Sequence, residues 1–79
     1  MSVKIELSPL LRKYIPGYDA DQGVVLDSGH GKKVIEIINE VGIPQENVTF
    51  VLVNHRPSHF NYVTKNGDLI RLSMVMGGG

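Results

Sequence analysis

Three histidines are the first residues of this 79-residue chain whose chemistry could suggest a site. His55 and His59 stand four positions apart, which is the spacing of two metal ligands on one face of a helix. Pro57 lies between them, and the interior of a regular helix does not accommodate proline. We therefore predict that these histidines lie in loops or on the surface, as we do for His30, and that the chain has no metal site.

A Ser-Gly-His-Gly segment at residues 28–31 precedes a predicted helix and could bind an anion at the helix start. It matches neither the phosphate-binding loop nor the dinucleotide-binding pattern, so we predict a loop with a helix cap. No serine stands in a nucleophile-elbow motif, and the carboxylates are scattered without an evident catalytic pair. The interior of the chain therefore indicates no active site, and we do not expect an enzyme.

The chain ends on Gly77, Gly78 and Gly79. A fraying end, a truncated linker and a cloning remnant are three explanations without a function. A functional explanation is that a backbone without side chains can enter a narrow channel and approach another molecule closely. ATP could then adenylate the terminal carboxylate, and a sulfur nucleophile could displace AMP. The reactive group would be the terminus itself, and no catalytic side chain would be needed.

The composition excludes several other classes of protein. The chain has no cysteine, so disulfides, zinc fingers and thiol chemistry are excluded. Eight basic residues balance eight acidic ones, which argues against nucleic-acid binding by bulk charge and against a polybasic membrane surface. No apolar run is long enough to span a membrane, and Lys4 and Glu6 interrupt the apolar start, unlike a signal peptide. We expect a cytoplasmic protein without nucleic-acid or membrane partners.

Apolar periodicity predicts five strands and two helices. Strands are expected at residues 3–7 and 24–27, over about six residues within 47–54, near 56–58, and at 69–76. A short helix is expected to begin at Pro9 with an apolar stripe of Leu10, Leu11 and Tyr14, and Asn66-Gly67 is expected to form a tight turn.

The clearest helix lies within residues 28–42, where four apolar residues recur at the spacing of one helical face: Val34, Ile37, Ile38 and Val41. Gly42 is expected to end it in the left-handed conformation. Its stripe must be buried on the sheet, which predicts a two-layer α+β fold with a sheet of four or five strands packed on one main helix. If the first and last strands are adjacent and parallel, the fold is a β-grasp roll, but periodicity alone leaves that pairing open.

Several motifs in this order resemble the ubiquitin-like sulfur carriers, such as the small subunit of molybdopterin synthase and the sulfur carrier of thiamine biosynthesis. An apolar strand ends in Val53-Asn54, Gly67-Asp68 precedes the last strand, and Gly78-Gly79 ends the chain. The "LLRKY" and "VGIP" segments resemble the molybdopterin branch. The resemblance implies a β-grasp (ubiquitin-like) domain over residues 1–76 and a flexible glycine tail over 77–79.

Two positions depart from the family pattern. Gly77 stands where many members have another residue, which should lengthen the tail without altering its chemistry. His55 stands where glycine is common, so the turn after Val53-Asn54 is expected to differ in shape.

The resemblance implies that an adenylyltransferase similar to the ubiquitin-activating enzyme uses ATP to activate Gly79, with Gly78 as its companion. Gly79 then becomes a thiocarboxylate, and a sulfur-accepting synthase subunit uses the sulfur to make molybdopterin or tungstopterin, or a thiamine precursor. No bound cofactor is expected. The alternative is a ubiquitin-like module that binds other proteins or is attached to them as a tag.

The resemblance also implies an apolar docking patch on the exposed face of the sheet. Phe50, Leu52 and Val75 are the candidates, because their parity differs from that of the presumed core residues. Met76 and Gly77 would lead from this patch to the reactive end. Ordinary burial is the competing explanation for each apolar residue.

Overall fold

The computed structural model describes residues 2–27 and 30–75. Its strands are β1 (Val3–Leu7), β2 (Val24–Leu26), β3 (Phe50–Val53), β4 (Arg56–Ser58) and β5 (Leu69–Ser73). The α-helix α1 spans Val34–Val41, and two 3-10 helices span Pro9–Tyr14 and Gln45–Asn47.

The five strands form one mixed sheet in the order β2-β1-β5-β3-β4. β1 and β5 lie side by side and run parallel, with Leu7 paired to Leu72, whereas the other neighbours are antiparallel. The pairing that periodicity left open is therefore the one that a β-grasp requires. With α1 as the main helix, the fold is an α+β, ubiquitin-like β-grasp, as predicted.

The core lies between α1 and one face of the sheet. Alternation in β1 buries Val3, Ile5 and Leu7 and leaves Lys4 and Glu6 partly exposed. Ile70 and Leu72 of β5 and Ile37 and Ile38 of α1 are fully buried, together with Val34 and Leu11. Each such side chain contributes roughly 1.5–3 kcal/mol through burial, so this interface is the main source of stability in a chain without cysteine.

α1 ends at its predicted glycine, but its N-cap is Lys33 rather than a residue of the 28–31 segment, because Lys33 is extended and bridges to Val63. The Lys33 N–H donates to the Glu36 carboxylate at 2.9 Å, which is one half of a capping box. Gly42 has a φ of 88° and ends the helix in the left-handed conformation, as predicted. Of residues 28–31, Ser28 and Gly29 lie outside the described residues.

The sequence prediction of β5 was too long. The strand ends at Ser73 rather than at residue 76, because its neighbours stop there. β1 ends at Leu7, and β3 begins only at Phe50, which pairs with Ser73. Met74 and Val75 therefore have no strand residue to pair with, although Met74 continues the apolar alternation of Ile70 and Leu72.

Smaller differences concern the second strand and the first helix. β2 ends at Leu26, one residue before the predicted end. The segment Pro9–Tyr14 is a 3-10 helix in which Leu11 is buried and Leu10 is exposed. With three residues per turn, neighbouring residues point in directions too far apart to share one buried stripe.

Candidate functional site

The tail continues from β5, the central strand of the sheet. Val75 is the last described residue, and it is 54% exposed. The predicted site residues Met76, Gly77, Gly78 and Gly79 lie outside the described residues. The structure therefore describes the base from which the tail continues.

Two hydroxyl side chains bind the base of the tail, Met74 and Val75, from opposite sides. The Met74 N–H donates to Ser8 Oγ at 3.1 Å, and the Val75 N–H donates to Thr49 Oγ1 at 3.2 Å. Backbone bonds lie beside them, from the Ser8 N–H to the Leu72 carbonyl and from the Thr49 N–H to the Ser73 carbonyl. We call Ser8 and Thr49 the hydroxyl pair; sequence reasoning did not identify them.

The predicted docking patch, which we define as Phe50, Leu52 and Val75, is partly open to solvent. Phe50 is 45% exposed and Leu52 is half-buried. Phe50 and Leu52 alternate with buried Val51 and Val53, so they lie on the sheet face away from α1. Phe50 directly follows Thr49, which binds Val75, so the patch extends to the base of the tail.

An ion pair borders the docking patch on the same sheet face. Arg71, which is paired in register with Leu52, lies 3.6 Å from the Glu6 carboxylate. An exposed pair of this kind contributes about 0–1 kcal/mol. It therefore places one positive and one negative side chain beside the patch and adds little to the stability of the fold.

At the start of β5, the two motif residues Asn54 and Asp68 are in direct contact. Asn54 Nδ2 donates to Asp68 Oδ1 at 2.9 Å, and Asn54 Oδ1 accepts the Leu69 N–H at 2.9 Å. Asp68 Oδ2 accepts the Tyr62 hydroxyl and the Lys65 N–H, each at 2.8 Å. These bonds fasten the end of β3 and the preceding loop to the strand that leads to the tail.

The same contacts set the protonation of Asp68. Burial raises the pKa of this carboxyl, but the hydrogen bonds from Lys65, Asn54 and Tyr62 outweigh burial and hold the pKa below its usual range. The pKa of Tyr62 is raised by its hydrogen bond to Asp68, by burial and by the nearby negative charge. Asp68 is thus an ionised acceptor at neutral pH, and its role is to hold the loop in place.

The turn after Val53 has an unusual backbone. Asn54 and His55 have φ angles of 51° and 70°, as both central residues of a type I′ hairpin require. His55 therefore takes the left-handed conformation that glycine would favour. The turn before β5 also closes, with the Asp68 N–H donating to the Lys65 carbonyl at 3.0 Å.

The remaining candidates lie away from the tail. His30, His55 and His59 are exposed, and within residues 2–27 and 30–75 no three metal-ligating side chains come together. An open cleft of about 470 Å³ along the edge strand β4 includes Arg56, Ser58 and Tyr62 in its lining. Among the described helices, none has the length and apolarity needed to cross a membrane.

This fold, with its central strand leading to the tail, defines the chain as a small ubiquitin-like domain. The family model that matches is Mut7-C ubiquitin, over residues 1–75, and the chain belongs to that family. A search of curated proteins found no match. The family match confirms the ubiquitin-like resemblance and agrees with the β-grasp topology.

Proposed function

We propose that the protein is a sulfur carrier whose Gly79 carboxylate is adenylated and then converted to a thiocarboxylate. The observation that carries this proposal is that a glycine tail follows the central strand of a ubiquitin-like fold. A glycine tail suits a narrow channel because it has no side chains. The reaction requires a free carboxylate on Gly79, whether the protein is made with that end or processed to it.

Each step of the proposed reaction balances. A Gly79 carboxylate oxygen attacks the α-phosphorus of ATP, and pyrophosphate leaves. Hydrosulfide then attacks the acyl carbon; a C–S bond forms, the C–O bond to AMP breaks, and a proton is released. The adenylyltransferase supplies the catalytic groups, so the carrier needs only an accessible terminus and a surface by which to be held.

The docking patch is the surface that we assign to the adenylyltransferase and, in turn, to the sulfur-accepting synthase subunit. Partial exposure of Phe50 and Val75 beside the base of the tail supports this assignment. The pathway that we favour is synthesis of molybdopterin or tungstopterin, with thiamine synthesis as the other possibility. Because activation consumes ATP, we place the protein in the cytoplasm.

Mass spectrometry of the intact protein tests the proposal. The chain is incubated with ATP, hydrosulfide and the adenylyltransferase from the same cell, and the expected product has one oxygen replaced by sulfur. A chain lacking Gly78 and Gly79, and a chain with one residue added after Gly79, serve as controls and should show no such gain. The enzyme is first shown to be active on the carrier that it normally adenylates. If the unaltered chain then shows no gain of sulfur, the proposal is contradicted.

The second candidate is a ubiquitin-like module that binds proteins or is attached to them, and the exposed docking patch favours it. A purely binding module keeps its partners when Gly78 and Gly79 are removed. A protein tag instead forms covalent adducts through Gly79 that persist in denaturant. Affinity purification with the complete and the shortened chain, under native and denaturing conditions, distinguishes these functions from sulfur transfer.

A further inference from the structure

We propose that the hydroxyl pair, Ser8 and Thr49, positions the tail for its partner enzyme by fixing the direction in which the chain leaves the sheet. This inference rests on the proposed function and adds two positioning residues to it. Met74 and Val75 lie beyond β5, where neither β1 nor β3 continues. Their N–H groups are nevertheless bound, each by one side-chain oxygen.

The Ser8 hydroxyl replaces the Ser8 carbonyl as an acceptor, because that carbonyl is already hydrogen-bonded to another residue. If the parallel ladder of β1 and β5 continued, the Ser8 carbonyl would accept the Met74 N–H, because the Ser8 N–H already donates to the Leu72 carbonyl at 3.0 Å. That carbonyl instead accepts the Leu11 N–H at 3.0 Å as the 3-10 helix begins. The Ser8 hydroxyl takes its place, and Ser8 is buried, so water competes little for the bond.

Thr49 holds the chain from the opposite side. Its N–H donates to the Ser73 carbonyl at 2.7 Å, and its hydroxyl accepts the Val75 N–H at 3.2 Å. The chain is thus held between the end of β1 and the start of β3, two segments that the core already fixes. Since both contacts use side chains, either can be removed without deleting a bond of the sheet.

Holding Met74 and Val75 in the free protein should matter when a partner binds. An enzyme that binds the tail holds these residues in one conformation. If they are disordered in the free protein, the conformational entropy lost on ordering them opposes binding. Loss of one hydroxyl should therefore raise KM for the carrier by roughly 5- to 30-fold, the equivalent of ordering one residue. The value of kcat should stay the same, because the reacting carboxylate lies four residues beyond Val75.

The test compares matched variants. Thr49→Val keeps the shape of the side chain and removes the hydroxyl, Thr49→Ser keeps the hydroxyl, and Ser8→Ala removes the other member of the pair. Ser58→Ala is the control, because it removes a hydroxyl in the edge strand β4, which β3 separates from β5. Amide hydrogen exchange at Met74 and Val75 is measured by NMR, and KM and kcat are measured by adenylate formation with the adenylyltransferase.

We expect faster amide exchange at Val75 and a higher KM in Thr49→Val. In Thr49→Ser and in Ser58→Ala, both quantities should equal those of the unaltered chain. Unchanged exchange in Thr49→Val overturns it, and so does faster exchange with an unchanged KM. If Ser8→Ala fails to fold, the two Thr49 variants still decide. Failure of the unaltered chain to form an adenylate would contradict the proposed function, whereas equal KM values in the unaltered chain and Thr49→Val contradict only the role of the hydroxyl pair.

Discussion

At Asp68, three hydrogen-bond donors converge on one carboxylate that is almost entirely buried: Asn54 Nδ2, the Tyr62 hydroxyl and the Lys65 N–H. Two of the donors are side chains that the turn and loop bring in from outside β5. A buried carboxylate held in this way stabilises the fold only while it is ionised. The stability that Asp68 gives to the start of β5 therefore depends on pH.

Asp68→Asn should lower the free energy of unfolding at neutral pH by about 1–3 kcal/mol, because an amide cannot accept all three hydrogen bonds. The native pKa of Asp68 is below the unfolded value of about 3.9. Its stabilisation is thus fully present above that value and is lost as pH falls through the native pKa. The difference between Asp68→Asn and the unaltered chain should shrink as acid is added.

Urea unfolding followed by circular dichroism, between about pH 7 and pH 2, measures this difference. Asp21→Asn is the matched control: Asp21 is exposed in the loop before β2, and its replacement should leave the unfolding free energy nearly unchanged. A difference for Asp68→Asn that stays constant over this pH range would show that the ionised carboxylate is not the source of the stability.

Contacts between single residues were the features that the sequence predicted least well. Asn54 and Asp68 were noticed as separate motifs, but their contact could not be predicted, because fourteen residues separate them. Ser8 and Thr49 carry no signal beyond their places directly after one strand and directly before another. Their roles depend on β5 lying between those two strands, and that pairing was the point periodicity left open.

At the scale of elements, the pairing of β2 with β1 depends on Gly23. Gly23 has a φ of 68°, and its N–H donates to the Asp19 carbonyl at 2.7 Å. A Cβ placed there would collide with the carbonyl oxygen of Ile5 in β1. Gly23 is therefore required both by the backbone conformation and by the close approach of the two strands.

Gly23→Ala should lower the free energy of unfolding more than Gly17→Ala. Gly17 also has a positive φ, of 80°, but a Cβ there would meet no neighbour. Gly17→Ala should cost about 1–2 kcal/mol from the left-handed conformation alone, and the collision at Gly23 should add about 1–3 kcal/mol. Chemical denaturation of both variants measures the two effects, and equal losses would mean that β2 moves away from Ile5 without a penalty.

Element types were predicted well where the apolar pattern and the neighbours agree. β1 and β4 match their predicted positions, and α1 ends at its predicted glycine. β5 was predicted too long because Met74 and Met76 continue its alternation. Alternation reports which residues share a face, but a strand also needs neighbours, and those neighbours come from distant parts of the sequence.

At the scale of the whole molecule, β5 is held at both ends by side chains from neighbouring segments. Asn54 and Asp68 fix its start, and the hydroxyl pair binds the residues beyond its end. Between them, β5 pairs with a strand on each side. Contacts with neighbouring segments therefore bind β5 along its whole length, and the docking patch lies beside the end from which the tail continues.

If the docking patch holds the partner enzyme, replacing two similarly exposed apolar residues on the sheet should have different effects on partner binding. Phe50 is 45% exposed beside the base of the tail, and Val25 is 55% exposed on the edge strand β2. Phe50→Ala should raise KM for adenylate formation by roughly 10-fold or more, as expected for an aromatic residue at the centre of an interface. Val25→Ala should leave KM unchanged, and both variants should unfold within about 1 kcal/mol of the unaltered chain, because neither side chain belongs to the core. Steady-state kinetics and urea unfolding of the two variants measure this contrast. An equal rise in KM for both would place the partner across the whole face of the sheet, and no rise for Phe50→Ala would remove it from the docking patch.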